Sequence, residues 1–177
     1  MHNRLIILSV LVSLLYTAAT AQSEHPLEVG AQLTVLTLDP LGEKPLGVGV
    51  RASYDLPWKK LTIAPELEFN YLCNDSPGDD DKQLLAGIRT GIKSDKFGFF
   101  LKARPGLVHF GSGGPNNLAV DLGGVFEYYA SPRVAIRFDL GDTIIRFPKP
   151  VFPGTNFAKP AGWYHNEQSS IGVSFRF

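Results

Sequence analysis

The chain has 177 residues, with 17 basic and 17 acidic side chains and a formal net charge of +0. This balance provides no basic surface for nucleic acid, so we expect no nucleic-acid partner. Cys73 is the only cysteine, which excludes an intrachain disulfide framework. The length suits a single domain.

The N-terminus has the three parts of a secretory signal. Met1–Arg4 is short and cationic, Leu5–Tyr16 is almost entirely apolar, and Ala19–Ala21 supplies small residues for cleavage. The apolar run is shorter than the roughly 20 residues of a membrane-spanning helix, which disfavours a retained anchor. We therefore predict a cleaved Sec-type signal peptide at 1–21 and a mature domain at 22–177.

Eight later segments alternate large apolar side chains with small or polar ones, which is the period of a β-strand. The last segment shows this most clearly, with Ile171, Val173, Phe175 and Phe177 at every second position. Each segment has about the 9–11 residues that a tilted strand needs to cross a bilayer. In chain order the segments are 27–38, 46–56, 61–72, 83–93, 97–110, 118–129, 134–145 and 169–177.

The connections alternate between short and long, as in bacterial outer-membrane barrels. The short ones are Pro57–Lys60, Ser94–Lys96 and Ala130–Pro132. The long ones are Asp39–Pro45, Cys73–Lys82, Gly111–Asn117 and Arg146–Gln168. An even number of strands puts both chain ends on the short-turn side, which would face the periplasm. The pattern predicts an all-β, eight-stranded antiparallel up-and-down transmembrane barrel.

The polar face of these strands decides which side turns outward. It carries seven acids and seven bases, a balance that suits mutual pairing in the narrow interior of an eight-stranded barrel. The alternative is a soluble barrel, in which the charges face water. The predicted interior charges are Glu28, Arg51, Asp55, Glu66, Glu68, Arg89, Lys93, Lys102, Arg104, Asp121, Glu127, Arg137, Asp139 and Arg176.

Two pairings follow from the expected turns. If residue 56 lies opposite residue 61, Arg51 lies across from Glu66. Closure of the first strand on the last would bring Glu28 and Arg176 to the same rim. The inward glycines are expected to make room in the narrow interior.

On these features the chain resembles the small eight-stranded barrels of the OmpA/OmpX-like superfamily, over about Leu27 to Phe177. The resemblance implies a place in the outer membrane of a Gram-negative cell and a plugged, ion-paired lumen. It also implies that Phe175 and Phe177 form the signal read by the barrel-assembly machinery, and that the outer loops adhere or bind at the cell surface.

Two details depart from the regular pattern. Pro65 and Pro105 lie within predicted strands and cannot donate ladder hydrogen bonds, so we expect local bulges there. Leu36 and Leu38 fall on the nominal polar face of the first strand.

The sequence shows no enzyme motif, and we predict no enzyme, cofactor or metal. His109 and Ser112 are three residues apart, and with a loop aspartate they would supply the base, nucleophile and acid of an activated serine. Neither residue lies in a recognisable motif. Asp79–Asp81 lacks the spacing of a calcium loop and suits a solvated loop.

The longest loop is the best candidate for contact with a partner. Its prolines stiffen it, and its aromatic residues either contact an unknown extracellular ligand or pack over the barrel mouth as a lid. The candidate contacts are Phe152, Phe157, Trp163 and Tyr164.

We therefore expect a structural or surface-interaction protein embedded in outer-membrane lipid. One alternative is a narrow pore, which would need a wet path past Arg51, Glu66, Arg89 and Arg104. A lipid-modifying enzyme at the outer rim is another alternative.

Overall fold

A computed structural model describes residues 25–39, 41–73, 80–111, 115–149 and 160–177. The predicted signal peptide at 1–21 lies outside the described residues. No helix in the described ranges has the length and apolarity needed to cross a membrane. The strands are β1 (Leu27–Leu36), β2 (Leu46–Tyr54), β3 (Leu56–Trp58), β4 (Leu61–Cys73), β5 (Asp81–Lys93), β6 (Phe97–His109), β7 (Asn116–Ser131), β8 (Val134–Phe147), β9 (Gly162–Tyr164) and β10 (Glu167–Arg176).

The eight long strands close into one antiparallel barrel. Their order is β1-β2-β4-β5-β6-β7-β8-β10, and β10 pairs with both β8 and β1. The short β3 pairs with β4 and the short β9 pairs with β8. Each predicted segment corresponds to one long strand, so the predicted fold class is confirmed.

The turn between β3 and β4 sets a register different from the predicted one. Trp58 pairs with Leu61, and Lys59 in the turn between them has a φ of 58°. The residue paired with Leu61 is therefore Trp58, which lies two positions closer to the turn than the predicted residue 56. As a result Arg51 lies across from Glu68, and Ser53 lies across from Glu66. The predicted pairing of Arg51 with Glu66 was wrong because the turn is tighter than assumed.

The strand prolines do not create the expected bulges. Pro65 pairs with Ile88 and Pro105 pairs with Val120, without a shift of register at either position. Pro65 lies beside the break between β2 and β3, where Asp55 donates its backbone N–H to the Pro26 carbonyl. Pro105 likewise lies where the pairing of β5 with β6 is interrupted. The missing N–H groups thus fall at gaps already present in the ladder.

The two faces of the wall are oriented as predicted. Leu101 and Leu140, on the outer face, are 71% and 65% exposed, whereas Arg89 and Arg104, on the inner face, are 0% exposed. A soluble barrel would show the reverse distribution. The wall is therefore apolar outside and charged inside, as a membrane barrel requires.

Close approach of neighbouring strands explains several inward glycines. A Cβ on Gly47 would lie 2.1 Å from the carbonyl oxygen of Tyr71, and one on Gly87 would lie 2.1 Å from that of Ala103. Such contacts cannot be tolerated, because the obstacle is backbone rather than a movable side chain. At these positions curvature of the wall, more than interior volume, excludes a larger residue.

Candidate functional site: the barrel interior and its rims

Arg104 is the central cation of the interior. Its Nη1 donates to Glu66 Oε1 at 2.6 Å and to Glu68 Oε2 at 2.5 Å, while its Nε and Nη2 donate to Asp121 Oδ2 at 2.8 and 2.6 Å. Since β4, β6 and β7 supply these groups, one guanidinium joins three strands. Charge-assisted bonds of this kind are the stronger class of hydrogen bond.

Arg137 crosses the lumen to the same carboxylate. Its Nη1 and Nη2 donate to Glu66 at 2.5 and 3.0 Å, and Nη2 also donates to Asp139 at 2.7 Å. Lys102 pairs with both Asp121, at 2.8 Å, and Asp139. Glu66 therefore lies between two guanidinium groups, and the ionic layer is continuous from β4 to β8.

The rest of the ionic layer lies toward the short-turn end. Arg89 pairs with Glu127, with Glu28 at 3.3 Å and with Asp55 at 3.2 Å, and its Cζ lies 4.6 Å from the centroid of the Phe100 ring. Lys93 also pairs with Asp55.

Arg51 contributes to the ionic layer from β2 and is buried. It donates to Gln32 at 2.5 Å and to Ser174 at 2.9 Å, and it lies 3.9 Å from Glu28.

The structure brings thirteen of the fourteen predicted interior charges into ion pairs. Arg176 is the exception among the described residues. It lies across from Glu28 as expected, but Glu28 turns toward Arg51 and Arg89. The Arg176 guanidinium instead lies over the ring of Tyr129, at 5.1 Å.

A neutral hydrogen-bonded layer, not anticipated from sequence, lies on the long-loop side of the ions. Asn70 Nδ2 donates to Gln83 Oε1 at 2.7 Å, Gln83 Nε2 donates to Gln168 Oε1 at 2.9 Å, and the Thr143 hydroxyl donates to that same oxygen at 2.8 Å. All four side chains are buried. Asn70, Gln83 and Thr143 lie at polar-face positions of predicted strands, whereas Gln168 was assigned to the longest loop. The contacts among the four depend on barrel closure.

An apolar cluster fills the long-loop end of the barrel. Leu36 and Leu38 belong to it, which explains why the first strand departs from strict alternation. The ring of Phe147 stacks on that of Phe110 at 5.4 Å and meets that of Tyr164 edge-on at 5.7 Å. The buried members are Leu36, Leu38, Leu72, Val108, Ala119, Ile145 and Phe147.

The outer rim holds the predicted loop contacts that the structure describes. Trp163 is 53% exposed, whereas Tyr164 packs against the apolar cluster in the manner of a lid. Phe152 and Phe157 lie outside the described residues. A cleft of about 720 Å³ opens beside Trp163 and is lined by Thr37, Asp39, Asp142, Trp163, Tyr164, His165, Asn166 and Glu167.

The histidine candidates are placed differently from the postulated constellation. His109 Nδ1 lies 3.1 Å from the amide oxygen of Asn116, and Ser112 lies outside the described residues. Among the described histidines, His165 lies beside a carboxylate, with its Nδ1 2.5 Å from Asp142 Oδ2. Sequence reasoning missed this pair because 23 positions separate the two residues.

Three carboxylates lie as close to one another as the ligands of a metal ion do. Oxygens of Glu66, Glu68 and Asp139 lie within 4.8 Å of one another. Arg104, Arg137 and Lys102 already neutralise them. Each of the three carboxylates is therefore paired with a cationic side chain.

Aromatic side chains gather on the outer wall toward the short-turn end. The ring of Phe99 lies 5.0 Å from that of Phe126, and the ring of Phe97 lies 5.6 Å from that of Tyr128. Phe175 and Phe177 are exposed at the same end. This is the position of an aromatic girdle at a membrane–water boundary.

A closed eight-stranded barrel with an apolar wall and an ionic interior defines the class of small outer-membrane β-barrels, so the fold expected from the resemblance is confirmed. Solved structures share this fold. Neisserial surface protein A (NspA) aligns at 19% identity with a TM-score of 0.53, over 88% of this chain and 98% of its own. The N-terminal barrel domain of Pseudomonas aeruginosa OprF aligns at 14% identity with a TM-score of 0.56, over 88% and 100%.

A de novo designed transmembrane barrel also aligns, at 17% identity with a TM-score of 0.51, over 88% of this chain and 98% of its own. Its presence among the similar structures underlines that the likeness is one of architecture. No protein-family model matches the sequence, and no curated protein matches it.

Proposed function

We propose that this protein is an integral outer-membrane barrel with a sealed interior, which acts through contacts at its outer rim. The observation that carries the proposal is the ionic layer, in which thirteen charged side chains pair inside an apolar wall. Such a wall requires a hydrocarbon environment, and a signal peptide would direct the chain to the envelope.

The two tryptophans of the chain provide a direct test of membrane insertion. Trp58 lies at the short-turn end and Trp163 at the long-loop end. In W163F protein reconstituted in vesicles, we expect brominated lipid to quench the fluorescence of Trp58. In W58F protein, we expect a water-soluble quencher to reduce the fluorescence of Trp163 more than it reduces the fluorescence of Trp58 in W163F protein. Lack of quenching of Trp58 by brominated lipid would contradict insertion.

Three buried layers support a sealed interior. Paired ions occupy the short-turn half, amides and hydroxyls follow, and the apolar cluster covers the long-loop end. A pore would need water to pass the salt bridges of Arg89 and Arg104. In planar bilayers we expect no discrete current steps, with a large porin added afterwards as the positive control. Reproducible steps from the purified protein would overturn the sealed-interior proposal.

The outer-rim cleft supports a role in surface contacts. Exposed Trp163 provides an apolar platform, and Asp39, Asp142 and Glu167 provide acceptors beside it. Aromatic side chains of this kind are frequent anchors of interfaces. We expect W163A to reduce adhesion of expressing cells to host surfaces, while the matched W58A variant at the opposite end retains it. Equal adhesion in both variants would refute the assignment to this rim.

We further propose that the barrel has no catalytic role and that Phe175 and Phe177 engage the assembly machinery. H109A and H165A cells should keep the lipid profile of wild-type cells by mass spectrometry, and a changed profile would reveal an enzyme.

Replacing Phe175 and Phe177 with alanine should slow insertion into the outer membrane. The matched control is Phe138→Ala, which removes an outward ring from the neighbouring strand β8.

A further inference from the structure

Arg176 is an interior cation that the ionic layer leaves without a carboxylate partner among the described residues. Its guanidinium rests on the Tyr129 ring, and its buried Nε has no hydrogen-bond partner. Its backbone N–H donates to the carbonyl oxygen of Arg133 at 2.9 Å, which holds the two main chains together. Arg133 and Arg176 line the same cleft, so an anion bound there lies within reach of both side chains.

A cleft of about 610 Å³ lies at this point of the short-turn end. Its lining combines two cations and a histidine with two aromatic rings, and it includes no acidic side chain among the residues that the structure describes. Phe175 and Phe177 reach the apolar outer wall, so the cleft joins the charged rim to the membrane-facing surface. The lining residues are His25, Arg133, Val134, Phe175, Arg176 and Phe177.

The side-chain charge of the short turns at this rim favours an anionic partner. The exposed charged side chains in its turns are Lys59, Lys60, Lys96 and Arg133, against the single acid Asp95. Lys59 follows Trp58, and Lys96 precedes Phe97, so the bases adjoin the aromatic girdle. Aromatic girdles lie at the level of lipid headgroups, which puts these cations at the depth of the phosphates.

We propose that this cleft binds one anionic glycerophospholipid of the inner leaflet. The phosphate accepts hydrogen bonds from Arg133 and Arg176, because the planar donor fork of arginine matches phosphate geometry. An acyl chain then runs along Phe175 and Phe177. The inference rests on the proposed membrane insertion with the short turns facing the periplasm.

The test uses native mass spectrometry of the detergent-solubilised protein after equilibration with equal amounts of phosphatidylglycerol and phosphatidylcholine. We expect wild-type protein to retain phosphatidylglycerol selectively. R133Q removes an exposed side chain and should preserve the barrel, which heat-modifiability on gels checks. In this variant the preference for phosphatidylglycerol should fall by at least about tenfold, which corresponds to about 1.4 kcal/mol, because one charge-assisted hydrogen bond to the phosphate is removed. R176Q should have the same effect.

Two control variants distinguish binding at the cleft from nonspecific attraction of the lipid by the positive charges of the rim. K96Q removes one charge from the same rim outside the cleft, and K44Q removes one from the opposite rim; both should keep the preference. Equal losses in K96Q and R133Q would overturn a specific site, as would an unaltered preference in R133Q. Displacement of the lipid by glycerophosphoglycerol without acyl chains would show a site for a soluble phosphate instead. If brominated lipid quenches Trp58 but no preference appears, this inference fails while membrane insertion stands.

Discussion

Replacement of Arg104 by methionine tests whether ion pairing holds the interior together. Arg104 is fully buried and bonds to Glu66, Glu68 and Asp121. Glu66 would keep Arg137 and Asp121 would keep Lys102. Glu68 would lose its one ion-pair partner among the described residues and would retain only hydrogen bonds from amide side chains.

The cost of R104M is therefore close to that of one uncompensated buried carboxylate, about 3–5 kcal/mol. At 1.4 kcal/mol per factor of ten, the unfolding equilibrium should shift by roughly a hundredfold to a few thousandfold. Urea unfolding of the refolded protein in lipid vesicles, followed by tryptophan fluorescence, measures this change. Gel mobility before and after boiling reports whether the variant barrel still closes.

The double variant R104M/E68Q distinguishes charge from packing. Glutamine removes the charge that methionine leaves unpaired, so we expect the double variant to recover most of the lost stability. K60M, which removes an exposed rim cation, is the control and should change stability by less than about 1 kcal/mol. The reasoning is refuted if R104M behaves like K60M, or if R104M/E68Q is no more stable than R104M.

Three further changes probe the wall and the apolar cluster by the same unfolding assay. Leu140→Arg puts a charge on the outer face and should cost about 2–4 kcal/mol if that position lies near the bilayer midplane; no loss would contradict its contact with lipid. Gly87→Ala should destabilise the barrel because its Cβ would meet the Ala103 carbonyl, whereas Gly124→Ala, with its nearest atom 3.9 Å away, should be tolerated; equal effects would argue against the strand-approach explanation. Leu36→Ala should cost about 2–5 kcal/mol by leaving a cavity in the apolar cluster, and a cost near zero would show that the cluster is loosely packed.

The inward direction of many interior side chains could be predicted from the alternation of side chains along each strand alone. Glu66 and Arg104 fall on the polar face of their strands whatever the pairing, so their inward direction follows from the strand period. Their partners could not be assigned in this way. Arg137 meets Glu66 across 71 positions of sequence, and that contact depends on strand register and tilt around the closed barrel.

Local deviations were harder to predict because a neighbouring strand decides them. Pro65 suggests a bulge when it is considered alone, but the break between β2 and β3 already accommodates its missing donor. Leu36 and Leu38 suggest irregular alternation, but they pack in one cluster with Phe147 of β8, a strand separated from β1 by β10. In each case the explanation lies on another strand.

The sequence by itself determined the eight strands and which face of each turns outward, because side chains alternate along a strand regardless of its neighbours. Tertiary structure decided which charges meet, where the apolar cluster forms and why Arg176 is left beside Arg133. Those outcomes depend on distances across a closed lumen, which exist only once β10 has paired with β1.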